Sequence, residues 1–348
     1  MRFARATAVT GFSAAVVIVA AAGRGAAAGP RVIYVDLDPV DLPARATHHA
    51  IAQPRARLVE LPASGWLRGF SVILTDADGH PVRASVLHHV KILAPARREL
   101  FLEKMQRIGS AGAETEAVLL PRMLGYPVRR GDTLLVNAMF DNVDGEALRG
   151  VRLRVALRYT PESVWLRPLA IQPFYMSVVP PGPSTSYDLP PGQSVKSWEG
   201  RPAVSGRLLA VGGHVHRYAR TLRLDDVTAG KNIWQTAPDT TPAGDIERVP
   251  SARFIWRLGV PLRRDHLYRI SAVYDNPTAD TIRAGAMGIL GGVFLPVRSE
   301  RWPQPNGGSP VYKADLAKQL AGGPDDPSGA EMAHAQDRHR PETHMQGR

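Results

Sequence analysis

Apolar residues alternate with polar ones in Gly69-Phe70-Ser71-Val72-Ile73-Leu74-Thr75, which runs into Asp76-Ala77-Asp78-Gly79. β-Branched and aromatic residues that end at an Asp- and Gly-rich tetrapeptide are typical of a strand entering a turn. A second strand pattern, over residues 85–93, follows at hairpin spacing. We therefore predict an antiparallel hairpin here. Its turn is not a calcium loop, because no bidentate Glu follows at the required spacing.

Similar strand patterns recur along the chain, separated by Gly- and Pro-rich turns. They cover residues 133–140, 151–159, 208–211, 220–224 and 268–274, and residues 225–232 close another hairpin. Helical periodicity is confined to residues 99–108 and 312–320. Short strands with frequent turns predict an all-β protein, with two jelly-roll-like antiparallel β-sandwich domains in tandem.

An internal echo indicates two similar units. Residues 131–142 and 265–276 each place a charged turn before an alternating strand that ends in an aromatic-Asp-Asn sequence. Convergent strand and turn chemistry would produce the same echo. We predict an N-terminal sandwich over 29–163 and a C-terminal sandwich over 164–302, joined through the Pro-rich stretch 161–191. Residues 303–348 are rich in Pro, Gly, Asp, His and Arg, which predicts a disordered tail.

The N-terminal segment predicts export. Arg2 and Arg5 precede an apolar run over 6–23, and Ala26-Ala27-Ala28 offers a small-residue cleavage pattern. Residues 1–28 are therefore predicted to be a signal peptide and the protein to be secreted or extracytoplasmic, with no stable membrane span after cleavage. The alternative is an uncleaved membrane anchor, because the run approaches the length that spans a bilayer.

Composition excludes several classes of protein. The 348 residues include no Cys, which excludes a disulfide scaffold, a zinc ribbon, an iron–sulfur protein and a Cys nucleophile. The formal net charge is +11, but the basic residues are scattered and form no stripe interleaved with aromatics. We therefore predict no nucleic-acid partner. The oligomeric state is left open.

Two histidine groups are candidate metal ligands. On a strand, residues i and i+2 face the same side, so His214 and His216 can converge on one ion, and Gly212 and Gly213 allow close backbone approach beside them. Adjacent His88 and His89 can do so only at a bulge or a strand end. The alternative for both groups is a set of surface histidines. His48-His49 lies outside any strand pattern, and no partner for it can be named from the sequence.

Together with Met287, in the stretch 283–289, these motifs resemble the copper type II, ascorbate-dependent monooxygenases, a family that comprises the peptidylglycine α-hydroxylating and dopamine β-monooxygenases. The resemblance spans roughly residues 60–295 but is confined to short motifs. It implies that His88 and His89 bind a first, electron-donating copper, and that His214, His216 and Met287 bind a second, oxygen-activating copper. It further implies O₂-dependent hydroxylation of a small organic or peptide substrate, with one or two copper ions and ascorbate or another reductant.

The sequence departs from that family at the third ligand of the first copper. The corresponding strand carries no His, and Met139 falls closest to the position. Met139 is therefore either a substitute thioether ligand or a core residue. The missing His favours an alternative function, a non-catalytic copper-binding or sequestration protein on the same two-sandwich fold. A third interpretation, by analogy of fold, is a sugar-binding sandwich with a tryptophan platform formed by Trp66, Trp165, Trp198, Trp234 and Trp256.

Overall fold

A computed structural model describes residues 32–112, 119–179 and 185–321, which contain 22 strands and one α-helix. The first ten strands are β1 (Val32–Asp36), β2 (Val40–Leu42), β3 (Arg57–Glu60), β4 (Gly65–Thr75), β5 (Leu87–Arg98), β6 (Met105–Ala111), β7 (Leu124–Val128), β8 (Thr133–Phe140), β9 (Leu148–Pro161) and β10 (Leu169–Ala170). The others are β11 (Gln172–Ser177), β12 (Ser186–Leu189), β13 (Gly192–Gly200), β14 (Gly206–Val215), β15 (Ala219–Asp226), β16 (Lys231–Thr236), β17 (Asp239–Thr240), β18 (Ile246–Arg248), β19 (Ala252–Arg253), β20 (Val260–Leu262), β21 (Tyr268–Asn276) and β22 (Ile282–Pro296), followed by α1 (Pro310–Ala321). Short 3₁₀ helices cover His48–Ala50, Ala84–Val86 and Ile255–Arg257.

The strands form two jelly-roll sandwiches, as predicted. In the first, the order β2-β9-β4-β7 faces the order β3-β8-β5-β6. In the second, β12-β22-β14-β20 faces β13-β21-β15-β16. Eight antiparallel strands arranged in two sheets in this way are the jelly-roll topology. Each sandwich encloses its own apolar core, and the chain passes from the first core to the second between Ile171 and Phe174.

The two sandwiches repeat each other strand for strand, in agreement with the echo in the sequence. β8 pairs with β3 and β5 as β21 pairs with β13 and β15, and β9 pairs with β1, β2 and β4 as β22 pairs with β11, β12 and β14. The repeated Asn residues have equivalent contacts. Asn142 donates to the carbonyl of Leu42 at 3.4 Å and to that of Glu146 at 2.9 Å. Asn276 donates to Leu189 at 3.4 Å and to Asp280 at 2.9 Å.

The hairpin predicted over 69–93 is wrong. β4 and β5 lie in different sheets, because the edges of β4 are already occupied by β9 and β7. The turn itself is present, since Asp76 Oδ1 accepts hydrogen bonds from the backbone of Asp78 and His80 at 3.0 and 2.8 Å. The chain then crosses to the facing sheet through the 3₁₀ helix Ala84–Val86. The hairpin closed by residues 225–232 is confirmed as β15 and β16.

The helix predicted over 99–108 is also wrong. Residues 99–104 form a turn, in which Glu99 N donates to Lys104 O at 3.1 Å, and β6 then pairs antiparallel with β5. Leu100 and Phe101 in that turn are buried in the core of the second sandwich. The apolar spacing that looked helical therefore comes from a turn that inserts into a neighbouring core.

The helix predicted over 312–320 is confirmed as α1, which covers the outer face of the β3-β8-β5-β6 sheet. Asn137 Nδ2 donates to Gln319 O at 2.8 Å, and Asp315 accepts from Met105 N at 3.0 Å. Residues 310–321, which belong to the predicted tail, are thus packed on the first sandwich, whereas 322–348 lie outside the described residues, as does the predicted signal peptide 1–28. In the described part of the chain, no helix has the length and apolarity that a membrane crossing requires.

Candidate metal centres

His214 lies near the end of β14 and His216 directly follows that strand, both on the outward face of the sheet. Val215 between them is buried in the second core at 2% exposure, so the two imidazoles point away from it. Their ring centroids are 5.3 Å apart and the rings are nearly perpendicular, at 85°. The predicted convergence of the pair on one side of the strand is therefore present.

Met287 shares this outward face. Its neighbours Ala286 and Gly288 are buried, and β22 runs antiparallel to β14 with His214 opposite Ile289 and Val215 opposite Gly288. The paired register ends at Val215 and Gly288, and His216 and Met287 are the next residues of the two chains at that point. The strand pairing thus places the backbone of the three predicted residues at neighbouring positions on one face of the sheet.

Tyr274 bonds the backbone of His216 and Met287 from the facing sheet. Its ring is fully buried in the second core, and its hydroxyl accepts hydrogen bonds from His216 N at 2.9 Å and Met287 N at 3.0 Å while donating to the carbonyl of Met287. Burial raises the pKa of Tyr274 to about 12, so the hydroxyl stays neutral and keeps the proton it donates. One buried oxygen therefore bonds the backbone of both candidate residues.

Gly213 is required beside this cluster. A Cβ at Gly213 would lie 2.1 Å from a methyl carbon of Leu222 and 3.0 Å from Ile289 O, whereas at Gly212 the nearest atom would be 3.4 Å away. A side chain at Gly213 would therefore have to displace Leu222 in the second core, on the face of β14 opposite to the imidazoles.

The same face of the sheet rests on the first sandwich. Leu209, Val293 and Leu295 pack into or against the first core, and the last two share their side of β22 with Met287. The candidate ligands therefore lie on the side of the second sandwich that faces the first, further along the same strands.

His88 and His89 lie at a bulge, as the sequence analysis required of an adjacent pair. The register of β5 on β8 shifts between Leu87 and His89. Leu87 and Val90 are both buried in the first core, so neither intervening imidazole points into it. Gly112 at the end of β6 passes close to this backbone, since a Cβ there would lie 2.5 Å from His88 O.

His48 joins His88, a contact that the sequence analysis missed. The rings stack with centroids 5.1 Å apart and planes inclined by 18°, and His49 lies 4.0 Å from His48 on a centroid-to-centroid measure. Asp141 completes the group, with its Oδ2 3.3 Å from His88 Nδ1. One ligand atom each from His48, His88 and Asp141 lie within 4.8 Å of one another.

Gln53 ties the His48 segment to the end of β8. Its Nε2 donates to His48 O and to Phe140 O, each at 2.9 Å, and its Oε1 accepts from Phe140 N at 2.7 Å. Asn142 N donates to Ala46 O at 2.7 Å on the other side of Asp141. The doublet His48-His49 was visible in the sequence, but nothing in the sequence indicated these long-range backbone contacts.

Met139 lies beside His89 and not in the His48–His88–Asp141 group. The two residues are directly opposed in the β5–β8 register, and Met139 is buried at 1% exposure. A further group, Asp76, Asp78 and His80, also brings ligand atoms within 4.8 Å, but its side chains belong to the turn after β4 and are accounted for by the hydrogen bonds that close it.

The five tryptophans differ widely in burial, so they do not form a shared platform. Trp66 and Trp234 are buried, whereas Trp165 and Trp256 are exposed at 95% and 93%. The ring centroids of Trp198 and Phe101 are 6.4 Å apart, and Trp198 packs against the second core.

Comparison with known proteins assigns no relative. No protein-family profile and no curated protein matches the sequence. Among solved structures, PNGF-II aligns over 75% of this chain and 65% of its own, less than two thirds, with 9% identity and a TM-score of 0.37. The VP2 subviral particle of infectious bursal disease virus aligns over 78% of this chain and 73% of its own, with 11% identity and a TM-score of 0.24. TM-scores of this size do not establish a shared fold.

Proposed function

We propose that this chain is an exported copper protein that carries out O₂-dependent hydroxylation of a small organic or peptide substrate. The observation that supports this most directly is the placement of His214, His216 and Met287 on one outward face, at neighbouring positions of two paired strands. Tyr274 holds the backbone of His216 and Met287 at a fixed spacing, which preorganises the set.

The donor set suits a copper ion that changes oxidation state. Imidazole binds both Cu(II) and Cu(I), while a thioether favours Cu(I) and is of little use to zinc. Three protein ligands leave coordination positions open, which a closed structural site would not. Bound copper would supply one-electron chemistry with O₂. The protein's part is to hold the two imidazoles and the sulfur in place on a face turned toward the first sandwich.

A non-catalytic copper-binding or sequestration protein is the second candidate. It is favoured by β8, whose outward positions are Asn137 and Met139 where the monooxygenases that the sequence resembles use a third His. Oxygen uptake separates the two functions. With copper-loaded protein, ascorbate and a panel of small organic and peptide substrates, an enzyme shows uptake that depends on substrate, and a sequestration protein shows none.

The copper site itself is tested by Cu(I) competition titration of Met287→Leu, with Met123→Leu as the matched control because Met123 is exposed and outside the site. We expect the Met287 variant to lose Cu(I) affinity by about tenfold or more and the control to bind as wild type. X-ray absorption of the wild type should contain a copper–sulfur distance that the variant lacks. Folded protein that binds no copper tightly would refute the proposal, as would an unchanged spectrum in Met287→Leu.

Export is tested separately. Because residues 1–28 have the pattern of a cleaved signal, the full chain expressed in a bacterial host should accumulate outside the cytoplasm, with a mature N-terminus near Gly29. Retention of Met1 in a membrane fraction would support the uncleaved anchor instead.

A further inference from the structure

We infer that the first sandwich carries a second metal site formed by His48, His88 and Asp141, which takes a divalent transition-metal ion. The inference rests on the proposed copper function and deepens it, because it names the ligands of the first-sandwich site. It replaces the expected set of His88, His89 and Met139 with one drawn from three separate elements, namely the 3₁₀ helix His48–Ala50, β5 and the residue after β8.

The distances match one shared ion. Asp141 Oδ2 and His88 Nδ1 are 3.3 Å apart. Two ligand atoms that each lie about 2.0–2.1 Å from one ion at a tetrahedral angle are separated by roughly 3.3–3.4 Å. The ligand atom of His48 lies within 4.8 Å of those of both His88 and Asp141.

The backbone around the three ligands is already fixed. Gln53 bonds both the carbonyl of His48 and the backbone of Phe140, so one side chain links the first ligand to the residue that precedes the third. Asp141 N donates to Val86 O at 3.0 Å, which anchors the third ligand next to the strand that bears His88. Ligands held in this way lose little conformational freedom on binding, which favours affinity.

The second sandwich supplies an internal comparison. Asp275 N donates to Tyr218 O at 3.0 Å, just as Asp141 N donates to Val86 O. His88 follows Val86 by two residues, and the equivalent residue after Tyr218 is Arg220. Arg220 forms an ion pair with Asp275 at 3.1 Å. A guanidinium remains protonated and has no lone pair to offer a metal. The repeat therefore keeps the carboxylate in both units, but only the first unit pairs it with imidazoles.

The ligand types distinguish this site from the one on the second sandwich. Two imidazoles and an anionic oxygen suit a divalent ion such as Cu(II) or Zn(II), whereas the thioether of Met287 favours Cu(I). The two sites are thus expected to prefer different oxidation states of copper. His49 and His89 lie beside the first site, with ring centroids 4.0 Å from His48 and 5.3 Å from His88 respectively, and the proposed ligand set does not require them.

The test is calorimetric titration of the full chain with Cu(II) and with Zn(II), for wild type, His48→Ala, Asp141→Asn and the matched control Asp275→Asn. We expect His48→Ala and Asp141→Asn each to weaken divalent binding at one site by about tenfold or more, and the control to bind as wild type. Asp141→Asn keeps the shape of the side chain, so it reports on the ligand even if His48→Ala perturbs its segment. Circular dichroism confirms the fold of each variant.

Cu(II) electron paramagnetic resonance identifies the ligands. The wild type should show coupling to nitrogen that is reduced in His48→Ala, while Met287→Leu should leave both this signal and the divalent titration unchanged. Loss of Cu(I) binding in Met287→Leu with no effect of His48→Ala or Asp141→Asn on divalent binding would overturn this inference and leave the proposed function standing. Divalent binding that depends on His48 and Asp141, in a protein with no Cu(I) site, would support this inference and refute the proposed function.

Discussion

Tyr274 is a single residue that reaches across a sandwich to organise the opposite sheet. It belongs to β21, yet its hydroxyl bonds the backbone of His216, the residue after β14, and of Met287 on β22. The hydroxyl makes three hydrogen bonds, accepting two and donating one, which uses all of its capacity. Both the stability of the second core and the spacing of the candidate ligands therefore depend on one oxygen atom.

We predict that Tyr274→Phe lowers the free energy of unfolding by about 1–3 kcal/mol, because it leaves buried backbone groups without a partner. Cu(I) affinity should fall as well. The control is Tyr268→Phe, since Tyr268 is also fully buried and accepts a hydrogen bond from Arg263 N at 2.8 Å, away from the site. Denaturant unfolding and Cu(I) competition of both variants check this. An equal loss of Cu(I) affinity in the two variants would contradict a positioning role for Tyr274.

Tyr274 also predicts a dependence of stability on pH. Its folded-state pKa of about 12 lies above the ordinary value of 10.0, because burial disfavours the phenolate. The unfolded chain therefore releases this proton first, and the stabilisation, complete below about pH 10, is lost as the pH rises toward 12. Unfolding free energies measured from about pH 9 upward should decline. The decline should be shallower in Tyr274→Phe, and an identical slope in the two proteins would refute the assignment.

The candidate ligands differ in how far the sequence could predict their positions. His214 and His216 follow the two-residue period of a strand, and the aromatic-Asp-Asn echo places Tyr274 at a strand end, so local pattern suffices there. His48 could not be placed, because its position depends on Gln53, whose partner Phe140 is 87 residues away along the chain. A polar side chain that bonds a distant backbone leaves no periodic trace in the sequence.

At the scale of elements, the bulge at the start of β5 is the feature that makes adjacent histidines usable. The extra residue lets Leu87 and Val90 both remain in the core while His88 and His89 stay outside it. The end of β6 must then pass close to the bulged backbone, and Gly112 allows this because it has no Cβ.

We predict that Gly112→Ala displaces the end of β6 from the bulge and costs about 1–3 kcal/mol of stability, since the new methyl group would lie 2.5 Å from a backbone oxygen. Divalent binding at His48, His88 and Asp141 should weaken in the same variant. Gly291→Ala is the control, because nothing lies within 4 Å of a Cβ at that strand position. Thermal unfolding and Zn(II) titration measure both effects, and equal behaviour of the two variants would contradict the prediction.

Helix α1 is held to the first sandwich by a buried group of charges. Arg107 on β6 lies 2.5 Å from Glu99 and 3.0 Å from Asp315, and all three side chains are less than 15% exposed. Burial raises the pKa of Glu99, an effect opposed by the charge of Arg107. Each charge in such a group is stable in the interior only because its partners are present.

We predict that Asp315→Ala lowers stability by about 3–5 kcal/mol, because it leaves Arg107 incompletely paired in the interior. Asp36→Ala, which breaks the exposed pair with Arg154 at 2.6 Å, should cost about 1 kcal/mol or less. Denaturant unfolding compares the two, and hydrogen exchange of the α1 amides should accelerate only in Asp315→Ala. Protection of α1 that does not change would show that the helix is held by its apolar contacts alone.

The strand repeat was easier to predict than the pairings between elements. All seven expected strand segments overlap observed strands because alternation is local, as in Thr133–Phe140, which is β8 from end to end. The hairpin predicted at 69–93 failed because pairing depends on which sheet edges are free. The prediction of a helix over 99–108 was wrong because the apolar side chains of Leu100 and Phe101 pack in the core of the second sandwich.

At the scale of the whole molecule, the turn between β5 and β6 couples the two sandwiches. Phe101 belongs to the first sandwich by sequence, but its ring lies 5.6 Å from that of Phe174 and 6.3 Å from that of Tyr268, both in the second core. Ala203 N donates to Leu100 O at 2.8 Å, which holds the turn in place. The first sandwich thus completes the core of the second, and the two candidate metal sites are carried on one connected body.

We therefore predict that Phe101→Ala lowers stability by about 3–5 kcal/mol and separates the unfolding of the two sandwiches. The control is Phe70→Ala, because Phe70 has the same 8% exposure but is buried in the first core only. Denaturant unfolding followed at single tryptophans, Trp66 for the first sandwich and Trp234 for the second, should give coincident transitions in wild type. In Phe101→Ala the Trp234 transition should move to lower denaturant than that of Trp66, since the second core loses the inserted ring, whereas Phe70→Ala should shift the Trp66 transition at least as far. Coincident transitions in both variants would mean that the sandwiches are coupled mainly through Leu209, Val293 and Leu295, on the face that carries His214, His216 and Met287.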